Sequence, residues 1–276
     1  MNSNKPDLSI ILPAIRSEQW DGLYDSILQA CKKYSFELIL CGPLPLTEKL
    51  NKLANVKYVR DFGSPMRASN IAASLAEGKY ITWIADDATL FKDSLDNNLD
   101  LLLSMGEEEK NVVMYKYAEG KNGTSKEVFP DSYFFLNNSG NYSPYLSNDW
   151  LLFNNVVMHT SFFNRLGGWD CSFESCPMGH NDLAIRAQYL GANALLSPFP
   201  VLDCNHMEGG SGDHMAIFVS QTDRDQPKYQ ARYRDPNWIH QKMFLDISNW
   251  KAAPTIWKER FKDKIPQNYQ DILDLN

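Results

Sequence analysis

No CxxC pair and no zinc-like spacing occurs among the five cysteines, Cys31, Cys41, Cys171, Cys176 and Cys204. That argues against a structural zinc site, and an odd, scattered set fits free thiols in a reducing compartment. No GxGxxG follows the first apolar run and no P-loop occurs anywhere, which argues against a Rossmann dehydrogenase and a P-loop NTPase. Positive charge is also short. A formal net charge of −7 supplies no basic face for nucleic acid, although a nucleotide whose phosphates are met by a metal stays within reach. No apolar run approaches membrane-spanning length. The polar opening MNSNKPD lacks the apolar core of a signal peptide, so the expectation is a soluble, cytoplasmic protein. Internal repeats and low-complexity blocks are absent.

What is present is the material of a packed globular protein, with 43% hydrophobic and 12% aromatic residues over 276 positions, enough for one large domain or one domain with a tail. Leu8–Leu12 reads as a buried strand closed by Pro13, and Ser17–Tyr34 carries a helical pattern through Leu23, Ile27, Leu28 and Cys31. Phe36–Cys41 and Val56–Val59 read as further strands, and Met66–Ala76 as a helix of small residues. The stretch GKYITWIADDATL then supplies a fourth strand that ends on two adjacent carboxylates, Asp86 and Asp87. Strand, helix, strand, helix, strand predicts a parallel sheet covered on both faces. Acidic side chains at the C-terminal end of such a strand lie where open α/β sheets bind ligands. Paired carboxylates suit a hard divalent cation bridging to phosphate, or they simply cap the next turn.

Beyond Asp87, Leu95–Met105 reads as a helix, Val112–Tyr117 as a strand and Val128–Leu136 as aromatic and strand-like. Asn154–His159 is expected as a strand, Ser161–Leu166 as a short helix, Leu183–Leu190 as a helix ended by Gly191, and Ala194–Cys204 as a last extended segment delivering Asn205-His206.

SIILPAIR, GSPMRASNIAASLAEGKYITWIADDA, GGWDCSF, GHNDLAIRAQYLGA and the late Asn205-His206 follow one another from about Leu8 to about His206. In that order they resemble the family 2 glycosyltransferases of the GT-A fold. The resemblance implies a nucleotide-sugar donor held over Mn2+ or Mg2+, a sugar hydroxyl as acceptor, and inversion at the anomeric carbon. Asp87 would bind the metal, and His206 would be a further ligand or a hydrogen-bond donor to the diphosphate. Asp86 would sit near the donor ribose, with Pro13, Ala14, Arg67 and Asn70 also on the donor side, Arg67 offering its guanidinium to a phosphate oxygen. Trp169 would be a sugar-stacking platform or part of the core, and Asp170 an acceptor ligand or a turn cap.

Two departures from the family pattern bear on mechanism. The acidic run that normally carries the general base reads Gly179-His180-Asn181-Asp182 here, so either His180 or Asp182 takes that role, and Glu174 is a further candidate. The second strand ends Leu40-Cys41-Gly42-Pro43 where the family places an Asp that reads the donor base. Backbone groups, Asp61 or Arg60 would replace it, which leaves UDP, GDP and dTDP donors open. His214, in the loop GGSGDHM, is a second metal ligand, part of a lid, or a surface residue.

The expected fold is therefore α/β, a GT-A nucleotide-diphospho-sugar transferase fold with a mostly parallel central sheet, helices on both faces and a helical C-terminal extension. Residues 1–225 would form the catalytic domain, its donor half about 1–110 and its acceptor half about 111–225, with the extension over 226–276. Trp257, Phe261 and Ile265 at helical spacing fit a helix packed on the catalytic domain, on a homodimer partner, or at a membrane bearing a lipid-linked acceptor. The expected activity is glycosyl transfer in surface polysaccharide or glycan assembly. The rivals are a non-catalytic scaffold of the same fold and a nucleotidyltransferase, whose Gly-rich basic loop after the first strand is missing from PAIRSEQW.

Overall fold

The structure, a computed structural model, describes residues 5–120, 128–136, 145–205 and 219–238. Its first half is the predicted alternation: β1 (Leu8–Pro13), α1 (Trp20–Ala30), β2 (Phe36–Gly42), β3 (Val56–Arg60), α2 (Pro65–Ala73) and β4 (Tyr80–Trp83). The strands form because their β-branched and aromatic side chains are buried on both faces, as in Ile10, Ile11, Ile39, Ile81 and Trp83. Helix α2 begins where Ser64 caps it, accepting from the Arg67 amide at 3.3 Å with Pro65 in the first turn.

The second half holds β5 (Ala88–Leu90), α3 (Ser94–Ser104), β6 (Asn111–Gly120), β7 (Val156–His159), α4 (Thr160–Arg165), α5 (Cys176–Tyr189), β8 (Asn193–Asn205) and α6 (Gln226–Arg234), the last preceded by a π-helical segment, Ser220–Asp225. Three differences from the sequence-based expectation stand out. Val128–Leu136 is not a strand: Pro130 donates no ladder hydrogen bond, and Asp131–Phe134 coils into a 3-10 turn behind it. Helix α5 starts at Cys176, with Pro177 in its first turn, so His180, Asn181 and Asp182 are helical and not in the preceding loop. The short strand β5 lies immediately after the Asp pair, where no strand was expected.

One eight-stranded sheet results, in the order β3-β2-β1-β4-β7-β6-β8-β5. Four of its seven neighbouring pairs are parallel (β1 with β2, β1 with β4, β2 with β3, β6 with β8), and the other three are antiparallel. From β1 the chain crosses to β2 in one direction, and from β3 it returns to β4 in the other. Right-handed crossovers then place α1 and α2 on opposite faces. Packing agrees, because α1 touches α3 and α2 touches α5. A continuous core covers the sheet, and a smaller cluster of Leu136, Leu152, Phe173, Met178, Ile185, Tyr229 and Tyr233 joins α5 to α6. Of the expected C-terminal extension, α6 belongs to this packed body, and residues 239–276, including Trp257, Phe261 and Ile265, lie outside the described residues.

Candidate functional site

The strand order reverses between β1 and β4, and the crevice outside the carboxyl ends of those strands is where open α/β sheets take ligands. A cavity of about 410 Å³ opens there. Pro13, Ala14 and Arg16 line it from the end of β1, Cys41 and Gly42 from β2, and Asp86 and Asp87 from β4. The opposite wall is Tyr117 and Glu119 of β6, Tyr133, Asn154 and the α5 residues His180 and Asn181.

Local sequence explains this convergence. A Cβ on Gly42 would stand 1.7 Å from the Ala14 carbonyl oxygen, so only glycine lets the β2 exit run this close to the β1 exit. That contact occupies the position expected for an Asp reading the donor base. Its suggested substitutes are engaged elsewhere. Asp61 pairs with the buried Arg67 at 3.0 Å and accepts from the Gly63 amide at 2.9 Å, and Arg60 donates to the Pro43 carbonyl at 3.1 Å.

Asp86 is saturated by the β1 exit. It accepts from the amides of Ile15 at 2.6 Å and Arg16 at 2.7 Å, from the Arg16 guanidinium, and from the Trp20 indole at 3.4 Å. The carboxylate thus folds the β1–α1 loop over the end of β4. Asp87, 3% exposed, lies beside it on the cavity wall, with Arg16 Nη2 at 3.8 Å. Arg16 thereby spans both carboxylates.

Among the described residues, some of the expected site residues gather here and others do not. Pro13, Ala14, Asp86, Asp87 and His180 line the cavity. Arg67 lies apart from it, its guanidinium spent on Asp61. Asn70 works as a clamp: its amide donates to the Trp169 carbonyl at 2.6 Å, while its oxygen accepts from the Trp169 amide at 3.0 Å. A Cβ on Gly168, whose φ is +68°, would meet that oxygen at 2.4 Å, so the Gly-Gly turn exists to let the clamp close. Trp169 is core, edge-on to Trp83 at 4.9 Å and to Phe163 at 4.7 Å.

Asp170 and Asp182 belong to a buried ion cluster. Arg232 bridges them at 2.7 and 2.8 Å. Asp182, fully buried, also accepts from Arg186 Nε at 2.8 Å and from the Tyr233 hydroxyl at 2.6 Å. Arg186 continues to the carbonyls of Leu166 and Gly168. Asp182 is therefore held among cations behind α5 and is not a cavity group. Glu174 is likewise buried, paired with Arg224 at 3.0 Å. His206 and His214 lie outside the described residues.

His180 sits 5.8 Å from the Trp83 ring and 6.1 Å from Trp169. Burial pushes its pKa down to about 3, so the imidazole stays neutral throughout the physiological range. Sequence reasoning missed Arg16, Glu119, Asn181 and the Tyr117–Tyr133 wall. Arg16 stood inside the quoted SIILPAIR, and its place at the end of β1 was the available signal. Asn181 is buried, and its side-chain oxygen has no hydrogen-bond partner among the described residues. Tyr117 accepts from Asn154 at 2.8 Å, and Tyr133 stacks on Phe129 at 4.1 Å.

A divalent cation fits the donor chemistry. Asp87 offers a hard carboxylate at the cavity wall beside the saturated Asp86. Among the described residues no three His, Cys, Asp or Glu side chains cluster as a ready-made metal cage. An ion there would complete its sphere with phosphate oxygens and water, the habit of Mg2+.

No family model matches the sequence, and a search of curated proteins finds no match. Solved structures do match in fold. S. aureus TarS 1–349 in complex with UDP is 16% identical, with a TM-score of 0.53 over 95% of this chain and 76% of that one. TarS 1–349 without a named ligand is 15% identical, with a TM-score of 0.55 over 97% and 94%. The same protein in complex with UDP-GlcNAc is 15% identical, with a TM-score of 0.53 over 76% of this chain and 60% of that one. At this identity the likeness is one of fold.

Proposed function

We propose that this protein is a glycosyltransferase that moves a sugar from a nucleoside-diphosphate sugar to a hydroxyl acceptor, in the GT-A manner the sequence resembles. The observation that carries the reading is the cavity at the β1–β4 switch point, walled by Asp86 and Asp87. Support comes from the shared fold of TarS, whose structures include complexes with UDP and UDP-GlcNAc, which makes a UDP-sugar the first donor to test. Asp87 would hold Mn2+ or Mg2+, and such an ion stabilises the charge that develops on a diphosphate leaving group.

This chain's residues would do the rest. Asp86 keeps the β1 exit folded over the donor side. The Tyr117–Tyr133 wall offers an apolar face to a sugar ring, and the buried Asn181 oxygen accepts a hydroxyl. The acceptor hydroxyl must lose its proton as it attacks the anomeric carbon in line, with inversion. The cavity groups in a position to take it are the neutral His180 imidazole and the Glu119 carboxylate. Replacing each by Gln separates them, since losing a general base lowers kcat by about 10²–10⁴-fold.

The test is thermal-shift binding across UDP, GDP, dTDP and CMP, each with Mn2+ and with EDTA. One diphosphate should raise Tm in a metal-dependent way, and Asp87→Ala should abolish the metal-dependent part. No shift with any nucleotide would refute the donor site and promote the scaffold reading. Transfer, as against binding alone, is then read from sugar release out of the matching sugar nucleotide.

A further inference from the structure

Resting on that reading, we infer that Ser69 of α2 and Asn181 of α5 are the specificity-determining pair for the transferred sugar: two uncharged side chains, buried in the cavity wall and unused by the fold, that take ring hydroxyls of the donor sugar.

Helix α5 rests on α2 at Gly179, where a Cβ would stand 2.0 Å from the Met66 Sδ. Each helix turns one stripe to the cavity, Pro65, Ala68 and Ser69 from α2 and Pro177, His180 and Asn181 from α5. Both stripes have the i, i+3, i+4 spacing of a single helix face. Ser69 is 1% exposed and Asn181 3%.

A helical serine often returns its hydroxyl to a carbonyl in the preceding turn, and Ser26, Ser74 and Ser104 all do so at 2.7 Å. Ser69 does not. The Met66 carbonyl, three residues back, is approached instead by the Cys171 thiol at 3.7 Å, and the Ser69 hydroxyl has no hydrogen bond among the described residues. Asn181 Oδ1 has none there either. Leaving a buried polar atom unpaired costs stability, and here a ligand in the cavity can pair it.

Chemistry narrows the ligand. Both side chains are neutral, and each offers a donor and an acceptor. A diphosphate oxygen only accepts, so it would leave Asn181 Oδ1 unpaired, whereas a hydroxyl satisfies it. With no hydrogen bond to break, the carboxamide turns about χ2 to bring that oxygen to the cavity. Depth assigns the hydroxyl to the donor. A wall this buried meets the ring that the diphosphate carries into the cavity, while an acceptor reaches that ring from the open side.

The experiment is isothermal titration calorimetry in MnCl2 on the full chain, as wild type, Ser69→Ala and Asn181→Leu. The ligands are UDP, GDP and dTDP, each beside its glucose conjugate, and UDP-GlcNAc. Both variants should bind the preferred nucleoside diphosphate within about twofold of wild type. They should bind its sugar conjugate about fivefold or more weakly, the size of one lost neutral hydrogen bond. Without ligand, Asn181→Leu should melt no lower than wild type, because an apolar group of the same branching replaces an unpaired oxygen. A residue that only held the fold would lower the melting temperature. Ser69→Ala carries the test alone if the leucine variant does not fold. Sugar-nucleotide binding that is unchanged in the variants, or that falls in step with the nucleoside diphosphate, overturns the inference. So does a wild type that binds a nucleoside diphosphate but none of the sugar conjugates. In these cases nucleotide binding by the wild type leaves the donor site standing. No nucleotide binding by the wild type removes the glycosyltransferase reading, and this inference with it.

Discussion

His180 behaves as it does because of where its ring lies. Packed against Trp83 and Trp169 and only partly exposed, the imidazole is poorly hydrated when charged, and its pKa falls to about 3. The unfolded chain binds that proton near pH 6.5, so between about pH 6.5 and 3 the unfolded state takes up more protons. Stability from this residue is complete above pH 6.5 and is lost as pH falls through that window. His180→Gln should therefore flatten the acid limb, and the wild type should lose up to a few kcal/mol more than the variant between pH 7 and 4 in urea titrations. Equal slopes would mean that the imidazole charges freely. The same residue leaves no titration near pH 6.5 in a rate profile, so any acid limb there belongs to another group. Gly42 makes the companion case. Gly42→Ala forces the Ala14 carbonyl aside and should cost about 1–3 kcal/mol, with a matching loss of nucleotide binding because the β1 exit walls the cavity.

At the scale of elements, α5 carries two separable faces. One presents His180 and Asn181 to the cavity, while Asp182 and Arg186 face the cluster with Arg232 and Tyr233. Asp182→Ala removes the buried carboxylate that Arg186 and Arg232 share and should destabilise the fold by about 3–5 kcal/mol, measured by denaturant midpoint. A variant that kept full stability while losing turnover would instead identify Asp182 as the base. The start of α5 is held from outside as well. Asp225 accepts from the amides of Glu174 and Ser175 and from the Ser175 hydroxyl, fixing the two residues that lead into the helix. This is why α5 was hard to read. Its polar, Gly-containing opening Cys176–Asn181 looks like a loop by composition, and the residue just before it is anchored by a carboxylate some fifty residues further along the chain.

Across the whole molecule, what the sequence made legible is what depends on local pattern. The strands β1 to β4, their two crossover helices and the Asp pair at the end of β4 follow from apolar runs and punctuation alone. The site required pairing between distant segments. No spacing rule says that Asn70 clamps Trp169, that Asp61 pairs with Arg67, or that β6 brings Glu119 to the same cavity as Arg16. Residue type marked the candidates, and burial then divided them into cavity groups and scaffolding. The expected division after residue 225 cuts this scaffolding. A chain of residues 1–225 lacks Tyr229, Arg232 and Tyr233, and should melt about 10 °C below a chain of residues 1–238, as a loss of 3–5 kcal/mol implies at this size. Equal melting temperatures would show that α6 is an appendage.

The bond from Arg232 to Asp182 spans fifty positions, and on a ribosome that separation becomes time. At about 5–20 residues per second, the acid at the middle of α5, which pairs with Arg186 in its own helix, waits roughly 3–10 s for its second cation. Until then the α5 side of the cavity lacks part of its support, however early the first four strands assemble. Chains that end before residue 232 should therefore be cleaved around α5 by protease more readily than chains that include α6.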